Sequence, residues 1–287
     1  MKGVLICPSP APGLRLLSEA GPLATMPLLG QGMVEYWLSH FACNGTKEVS
    51  ILSHDRTEEV AAIVEKGARW GLKVQLIEET RELTPIQARA TYEKLFDVNA
   101  PPEAVVLMDH FPGLKMPLFT TYQQFYEGLL EWLPRARTPD RVGVLEKQPG
   151  IWTGLNCNIS PSAELRAPCW IGHNVFIGPK TVVGAGSIIE DGAFVEGACS
   201  ISGSRIGAHT FVGQCSEISG SLALGDTLVH LQSGLATKVP DKFVLCALRP
   251  PRTQEVHGWF ARVAEICCRN KAEAQLLWKH LLINRGG

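Results

Sequence analysis

The chain has 287 residues, enough for about two domains. Hydrophobic residues make up 45% and charged residues 19%, so a sizeable core can be buried and a wholly disordered chain is excluded. With 27 basic and 28 acidic side chains the formal net charge is -1, and composition offers no support for a nucleic-acid partner. The nine cysteines contain no CxxC pair, which reads as reduced thiols in a cytoplasmic protein. No apolar run reaches the roughly 20 residues of a membrane span. The apolar N-terminal stretch is broken by Pro8, Pro10 and Pro12, unlike a signal peptide.

In chain order, Lys2–Cys7 reads as an apolar strand and Met33–Phe41 as a helix with Met33, Trp37 and Phe41 on one face. Glu48–Leu52 is a strand, and Thr57–Lys66 a helix with Thr57 as its N-cap. Leu72–Ile77 and Ala104–Met108 are strands, the second of the buried parallel type. This alternation predicts an α/β domain over residues 1–113. Residues 114–150 form a helical connector, with Tyr122, Phe125, Tyr126 and Trp132 in its helix and Arg135–Asp140 as the joining segment. Residues 241–287 are predicted as a helical tail, with Val256, Phe260, Val263 and Cys267 on one face, then Leu276, Leu277 and Leu281.

Between these segments, residues 151–240 carry a six-residue repeat. Aliphatic residues recur at Ile159, Leu165, Ile171, Ile177, Val183, Ile189, Val195 and Ile201. One step of five reaches Ile206, and Val212, Ile218 and Leu224 follow. Gly172, Gly178, Gly184, Gly207, Gly213 and Gly225 follow the aliphatic residue, and a small residue such as Thr181, Ser187 or Ala193 takes the fifth position. This predicts a parallel β-helix of triangular section, with about four stacked coils over Ile159–Leu231 and the aliphatic residues inside. The pattern resembles the hexapeptide-repeat β-helix family, which implies a left-handed prism and a homo-oligomer, most commonly a trimer.

The first half carries a second resemblance. Lys2–Leu38 resembles, without a gap, the start of sugar-1-phosphate nucleotidyltransferases, on Leu14, Arg15, Leu17, Pro22, Pro27, Met33, Glu35 and Tyr36, and further on Gly67-Ala68-Arg69-Trp70-Gly71 resembles a turn of the same family. Asp109 resembles the metal-binding aspartate of that family. The resemblance implies a truncated, Rossmann-like nucleotidyltransferase domain whose pocket includes Gly13, Arg15 and Asp109, with Mg2+ on Asp109 in an active member.

The departures from that pattern affect the phosphate grip. Pro8, Pro10 and Pro12 occupy the loop whose N–H groups would cradle triphosphate, and proline donates none. Gly13 stands where the family has arginine, and Leu23 where it has a phosphate-binding lysine. The next substrate loop appears as the glycine-free stretch Leu83–Ala90. The pocket therefore reads as vestigial. Asp109 is either a former metal ligand or a polar residue at a strand end, and Arg15 either an anion contact or a solvated cation. His54 and His110 have no metal-ligand spacing.

The repeat domain offers different chemistry. The stretch from Phe211 to Gly234 resembles the acetyltransferase half of bifunctional N-acetylglucosamine-1-phosphate uridylyltransferases. That resemblance makes His230 either the general base for an acyl-CoA substrate or a surface or interface histidine; Ser219 replaces an expected lysine, and the tyrosine and asparagine of that site have no match. His173 and His209 lie within regular hexads and read as corner or interface residues.

Two functions follow. The first is a non-catalytic assembly or regulatory protein of a sugar-nucleotide pathway, with no resident cofactor and a sugar-nucleotide or sugar-phosphate ligand. The second is a hexapeptide-repeat acyltransferase acting on a sugar or sugar nucleotide at a subunit interface.

Overall fold

The structure, a computed structural model, describes residues 2–93, 104–135 and 143–248. It divides into two compact units. One comprises Met1–Leu155 with His230–Leu235, and the other Asn156–Val229 with the chain from Ala236. The expected tail helices around Val256 and Leu276 lie outside the described residues, as does the joining segment beyond Arg135.

The first unit runs β1 (Lys2–Ile6), α1 (Arg15–Ala20), a small hairpin β2 (Pro27–Leu28) and β3 (Gln31–Gly32), α2 (Met33–Cys43), β4 (Glu48–Ser53) and α3 (Thr57–Val64). It continues through β5 (Lys73–Glu78), α4 (Pro85–Thr91), β6 (Val105–Leu107), α5 (Tyr122–Trp132) and a hairpin of β7 (Leu145–Gln148) and β8 (Ile151–Thr153). Strands β5-β4-β1-β6 form one parallel sheet in that order. Val4, Leu5 and Ile6 of β1 are at most 1% exposed, because a central parallel strand is covered on both faces. The chain steps outward from β1 to β4 and β5, then crosses to the other side of β1 for β6. That reversal creates a switch point at the carboxyl ends of β1 and β6, where open α/β sheets bind ligands.

Helix α2 buries Met33, Trp37 and Phe41 as the pattern predicts, and Tyr36 sets its ring edge-on to Phe111 and Trp132 at 5.1 and 5.7 Å. Two local expectations change. The N-cap of α3 is Arg56, at φ 41°, and Thr57 starts the helix, its hydroxyl 3.4 Å from Ser53 Oγ. The stretch Leu83–Ala90, expected as a loop, is largely helix α4. Thr84 caps it by accepting the Gln87 N–H, Gln87 returns a bond to the Thr84 N–H, and Pro85 fits the first helical position.

The second unit is a three-sided parallel β-helix. Its strands are β9 (Asn158–Ile159), β10 (Glu164–Leu165), β11 (Cys169–Ile171), β12 (Phe176–Ile177), β13 (Val182–Val183) and β14 (Ser187–Ile189). Then follow β15 (Phe194–Val195), β16 (Ser200–Ser202), β17 (Arg205–Ile206), β18 (Thr210–Val212), β19 (Glu217–Ser219) and β20 (Ser221–Leu224). The antiparallel hairpin β21 (Thr227–His230) and β22 (Ala236–Lys238) extends one face, and β23 (Leu245–Ala247) pairs antiparallel with β18. Every third strand stacks: β9-β12-β15-β18, β10-β13-β16-β19 and β11-β14-β17-β20. Ile177 pairs with Ile159 and Val195, so one coil is one turn of three hexads.

Ile171, Ile177, Val183, Ile189, Val195, Ile201, Ile206 and Val212 are each 0% exposed, as predicted for the interior. Thr181 and Ser187 share that interior, and their hydroxyls donate to the Glu196 and Ile201 carbonyls at 2.7 and 3.0 Å. The last coil corrects the expected register. Ile206 pairs with Ala223, not Leu224. Ala223 is 0% exposed while Leu224 is partly exposed, so a second five-residue step closes the final coil. Among the described residues, no helix is long and apolar enough to cross a membrane.

Candidate functional site

The loop after β1 shows what became of the expected phosphate grip. Four of its N–H donors, those of Cys7, Ser9, Ala11 and Leu14, are bonded within the protein. Cys7 N–H donates to Leu52 O at 2.9 Å, Ala11 N–H to Ser18 Oγ at 3.1 Å and Leu14 N–H to Ala11 O at 2.9 Å. Ser9 N–H donates to the Glu82 carboxylate. Leu23, at the expected lysine position, is 1% exposed and belongs to the core.

The sequence-predicted pocket residues occupy separate roles. Arg15 projects from α1 into solvent, its side chain 82% exposed, with Nε 2.6 Å from Glu19 Oε1. That partner raises the Arg15 pKa further. Gly13 lies against Thr120, where an added Cβ would sit 2.1 Å from the carbonyl oxygen. Asp109 follows β6, with Oδ1 2.6 Å from His110 Nδ1, and its carbonyl accepts the Leu118 N–H at 2.7 Å. The His110 carbonyl accepts the Trp37 indole N–H at 2.9 Å. No bond or ion pair joins Gly13, Arg15 and Asp109 to one another among the described residues. No group of three or more His, Cys, Asp or Glu there could hold a metal ion.

A different set converges at the same sheet edge. Ser9 follows β1, His54 follows β4 and Glu82 follows β5. Ser9 Oγ and His54 Nε2 are 3.0 Å apart, and the Glu82 carboxylate receives the Ser9 N–H. The loops bearing Ser9 and His54 are braced together. Arg56 is paired with Asp55 at 2.9 Å and donates to Ser18 O at 2.5 Å, and the Ser18 hydroxyl takes the Ala11 N–H. Below them Cys7 is 2% exposed, and burial pushes its thiol up to about 12 despite a bond to Ser53. No sequence spacing brings these three residues together, because they come from three separate strand ends.

His230 stands at the end of β21, exposed, where the hairpin turns. Its N–H donates to Leu235 O at 3.0 Å, its carbonyl accepts the Gly234 N–H at 2.9 Å, and Nδ1 accepts the Ser233 N–H at 3.4 Å with Ser233 Oγ 3.2 Å away. The ring is therefore held through Nδ1. Neither Ser9–His54 nor His230–Ser233 was legible as a pair from motif alone, although Ser233 lies only three residues beyond His230. Of the hexad histidines, His173 donates its N–H to Asp191 Oδ1 at 2.7 Å, and His209 takes a corner position at φ 53°.

No family model and no curated protein matches the chain. Among solved structures, it is similar to the acetyltransferase domain of PglB from Neisseria gonorrhoeae FA1090 in complex with acetyl coenzyme A. That match has 13% identity over 62% of this chain and 82% of the other, at a TM-score of 0.21. It is also similar to a histidine-to-alanine mutant of GDP-perosamine N-acetyl transferase from Caulobacter crescentus in complex with CoA and GDP-perosamine. Here identity is 14% over 68% of this chain and 97% of the other, again at a TM-score of 0.21. At such scores neither likeness bears on fold or chemistry, and the architecture rests on the strand pairing above.

Proposed function

We propose that the chain is a hexapeptide-repeat acyltransferase, with His230 as general base and a sugar or sugar nucleotide as acceptor. The observation that carries this reading is the exposed His230 imidazole at the end of the β-helix hairpin, anchored through Nδ1 by Ser233. Nδ1 accepts the Ser233 N–H, so the neutral ring carries its proton on Nε2; once Nδ1 is released from Ser233 it takes the proton of an attacking amine or hydroxyl as that group adds to the thioester carbonyl of acyl-CoA, and the CoA thiolate then leaves. The reading includes a left-handed prism assembled as a homotrimer in the cytoplasm.

The test is release of free CoA thiol from acetyl-CoA in the presence of amino-sugar nucleotides. His230→Ala is expected to lower turnover by about 10²- to 10⁴-fold with folding intact. Equal turnover in the variant, or no turnover with any amino-sugar nucleotide, overturns the assignment.

One observation favours a second reading, in which the first unit binds or regulates without reacting. The loop that would grip triphosphate has its Ser9 N–H engaged by Glu82 and its lysine position filled by buried Leu23. Thermal stabilisation by sugar nucleotides without any CoA release would support that reading over the first.

A further inference from the structure

We infer that Ser9 and His54 form a nucleophilic pair, a second reactive site for activated acyl esters, and that Glu82 holds it closed. The inference is independent of the role given to His230. Three observations combine. Ser9 Oγ lies 3.0 Å from His54 Nε2, within reach for proton transfer. Both residues sit just past the carboxyl ends of neighbouring parallel strands, β1 and β4, the edge where α/β sheets place their chemistry. Finally, the Ser9 N–H, the backbone donor nearest the hydroxyl, points at the Glu82 carboxylate.

In acyl transfer through serine, the nucleophile's own N–H helps to stabilise the tetrahedral oxyanion. Here that position is filled by a carboxylate, an internal anion where the reaction would develop one. Ser9 also lies between Pro8 and Pro10, which fix φ on both sides and limit the hydroxyl's backbone freedom. The Asp55–Arg56–Ser18 brace holds the two loops in register.

The chemistry balances with an ester and water. Ser9 Oγ adds to the ester carbonyl carbon while its proton passes to His54 Nε2. The carbon–oxygen bond to the alcohol breaks, and the departing oxygen takes the proton from His54. Water then adds to the acyl-serine, His54 again carries the proton, and a carboxylic acid leaves with Ser9 restored. Glu82 must withdraw for either addition.

The test is labelling of the full-length chain by a fluorophosphonate, which joins phosphorus to a nucleophilic serine oxygen and releases fluoride. Peptide mapping is expected to find the adduct on Ser9, and Ser9→Ala to abolish it. His54→Gln should slow labelling at least about 10-fold, and Glu82→Ala should accelerate it at least about 10-fold, since the oxyanion donor is freed. Glu82→Gln, which keeps the side chain's size, replaces the alanine variant if that one fails to fold by circular dichroism. A purely structural Glu82 would give equal or slower labelling when removed. No adduct on Ser9 in wild type and the Glu82 variant, an unchanged rate in His54→Gln, or a Glu82 variant no faster than wild type each overturns the proposal.

Discussion

Arg205→Met should be among the most damaging single changes in the β-helix. Arg205 and Glu190 are 2% and 0% exposed, and Arg205 Nη2 and Nε lie 2.9 and 3.1 Å from the same carboxylate oxygen. The register explains why they meet. Ile188 pairs with Arg205 and Ile189 with Ile206, so Glu190 sits diagonally beside the guanidinium on the outer side of that face. Gly172 and Gly207 occupy the corresponding positions after the inward aliphatic residue in the coils on either side. At an effective dielectric constant near 20 the attraction is worth about 4 kcal/mol, while each buried ion gives up several kcal/mol of hydration. The intact pair is therefore close to neutral, and removing one partner costs about 3–5 kcal/mol, because the other charge stays buried. Urea denaturation followed by circular dichroism measures the loss. Glu190→Gln combined with Arg205→Met removes both charges and should recover most of it. A single variant within about 1 kcal/mol of wild type, or a double variant no better than the single, would refute this reasoning.

Ile177→Asp places a carboxylate in the dry interior of the prism and should cost at least about 4 kcal/mol or prevent folding, as read by soluble yield and thermal midpoint. Ala223→Leu should overpack the last coil by about 1–3 kcal/mol while Leu224→Ser costs under about 1 kcal/mol, the opposite ranking to that expected had Leu224 been the inward residue. Gly13→Ala should lower the thermal midpoint, because its Cβ would meet Thr120 O at 2.1 Å. Iodoacetamide at pH 8 should modify exposed Cys43 and Cys215 and spare Cys7 and Cys169 in the folded chain. Burial pushes both of the latter thiols up to about 12, so about one in 10⁴ is thiolate at that pH, and mass mapping reads the pattern.

The β-helix was legible in the sequence because its information is local and repeated. Each hexad names its own inward residue, and eleven of the twelve keep the observed register. The reading slipped at the end, where Leu224 kept the period and Ala223 did not. An aliphatic side chain signals the interior more strongly than alanine does, and only strand pairing reveals the second short step. Thr84, Pro85 and Gln87 form a capping box visible in sequence, yet alignment to a family loop hid helix α4. The sheet-edge cluster was not legible at all. Ser9, His54 and Glu82 each look ordinary alone, and the strand order β5-β4-β1 is what brings them together. Arg15, by contrast, matched a motif by position, but its pairing with Glu19 four residues on satisfies it locally.

The same loop sets a limit on repair. Leu23→Lys would introduce the residue type that nucleotidyltransferases carry at the aligned position, and the sequence resemblance alone implies phosphate contact there. Leu23 is 1% exposed, so the new ammonium would have to stay buried at a cost of several kcal/mol or push its segment outward. Even an ammonium that reached solvent would face a loop with few donors to offer: prolines 8, 10 and 12 have no N–H, and those of Cys7, Ala11 and Leu14 are bonded inside the protein. The Ser9 N–H is held by a carboxylate that would repel triphosphate. Charge stabilisation in phosphoryl transfer comes from several positioned groups acting together, so one lysine cannot replace the set. The expected outcome is a lower thermal midpoint and no pyrophosphate release from nucleoside triphosphates with sugar-1-phosphates, in wild type and variant alike. Release faster than about 0.1 per second from either protein would show that the loop can open and still grip phosphate.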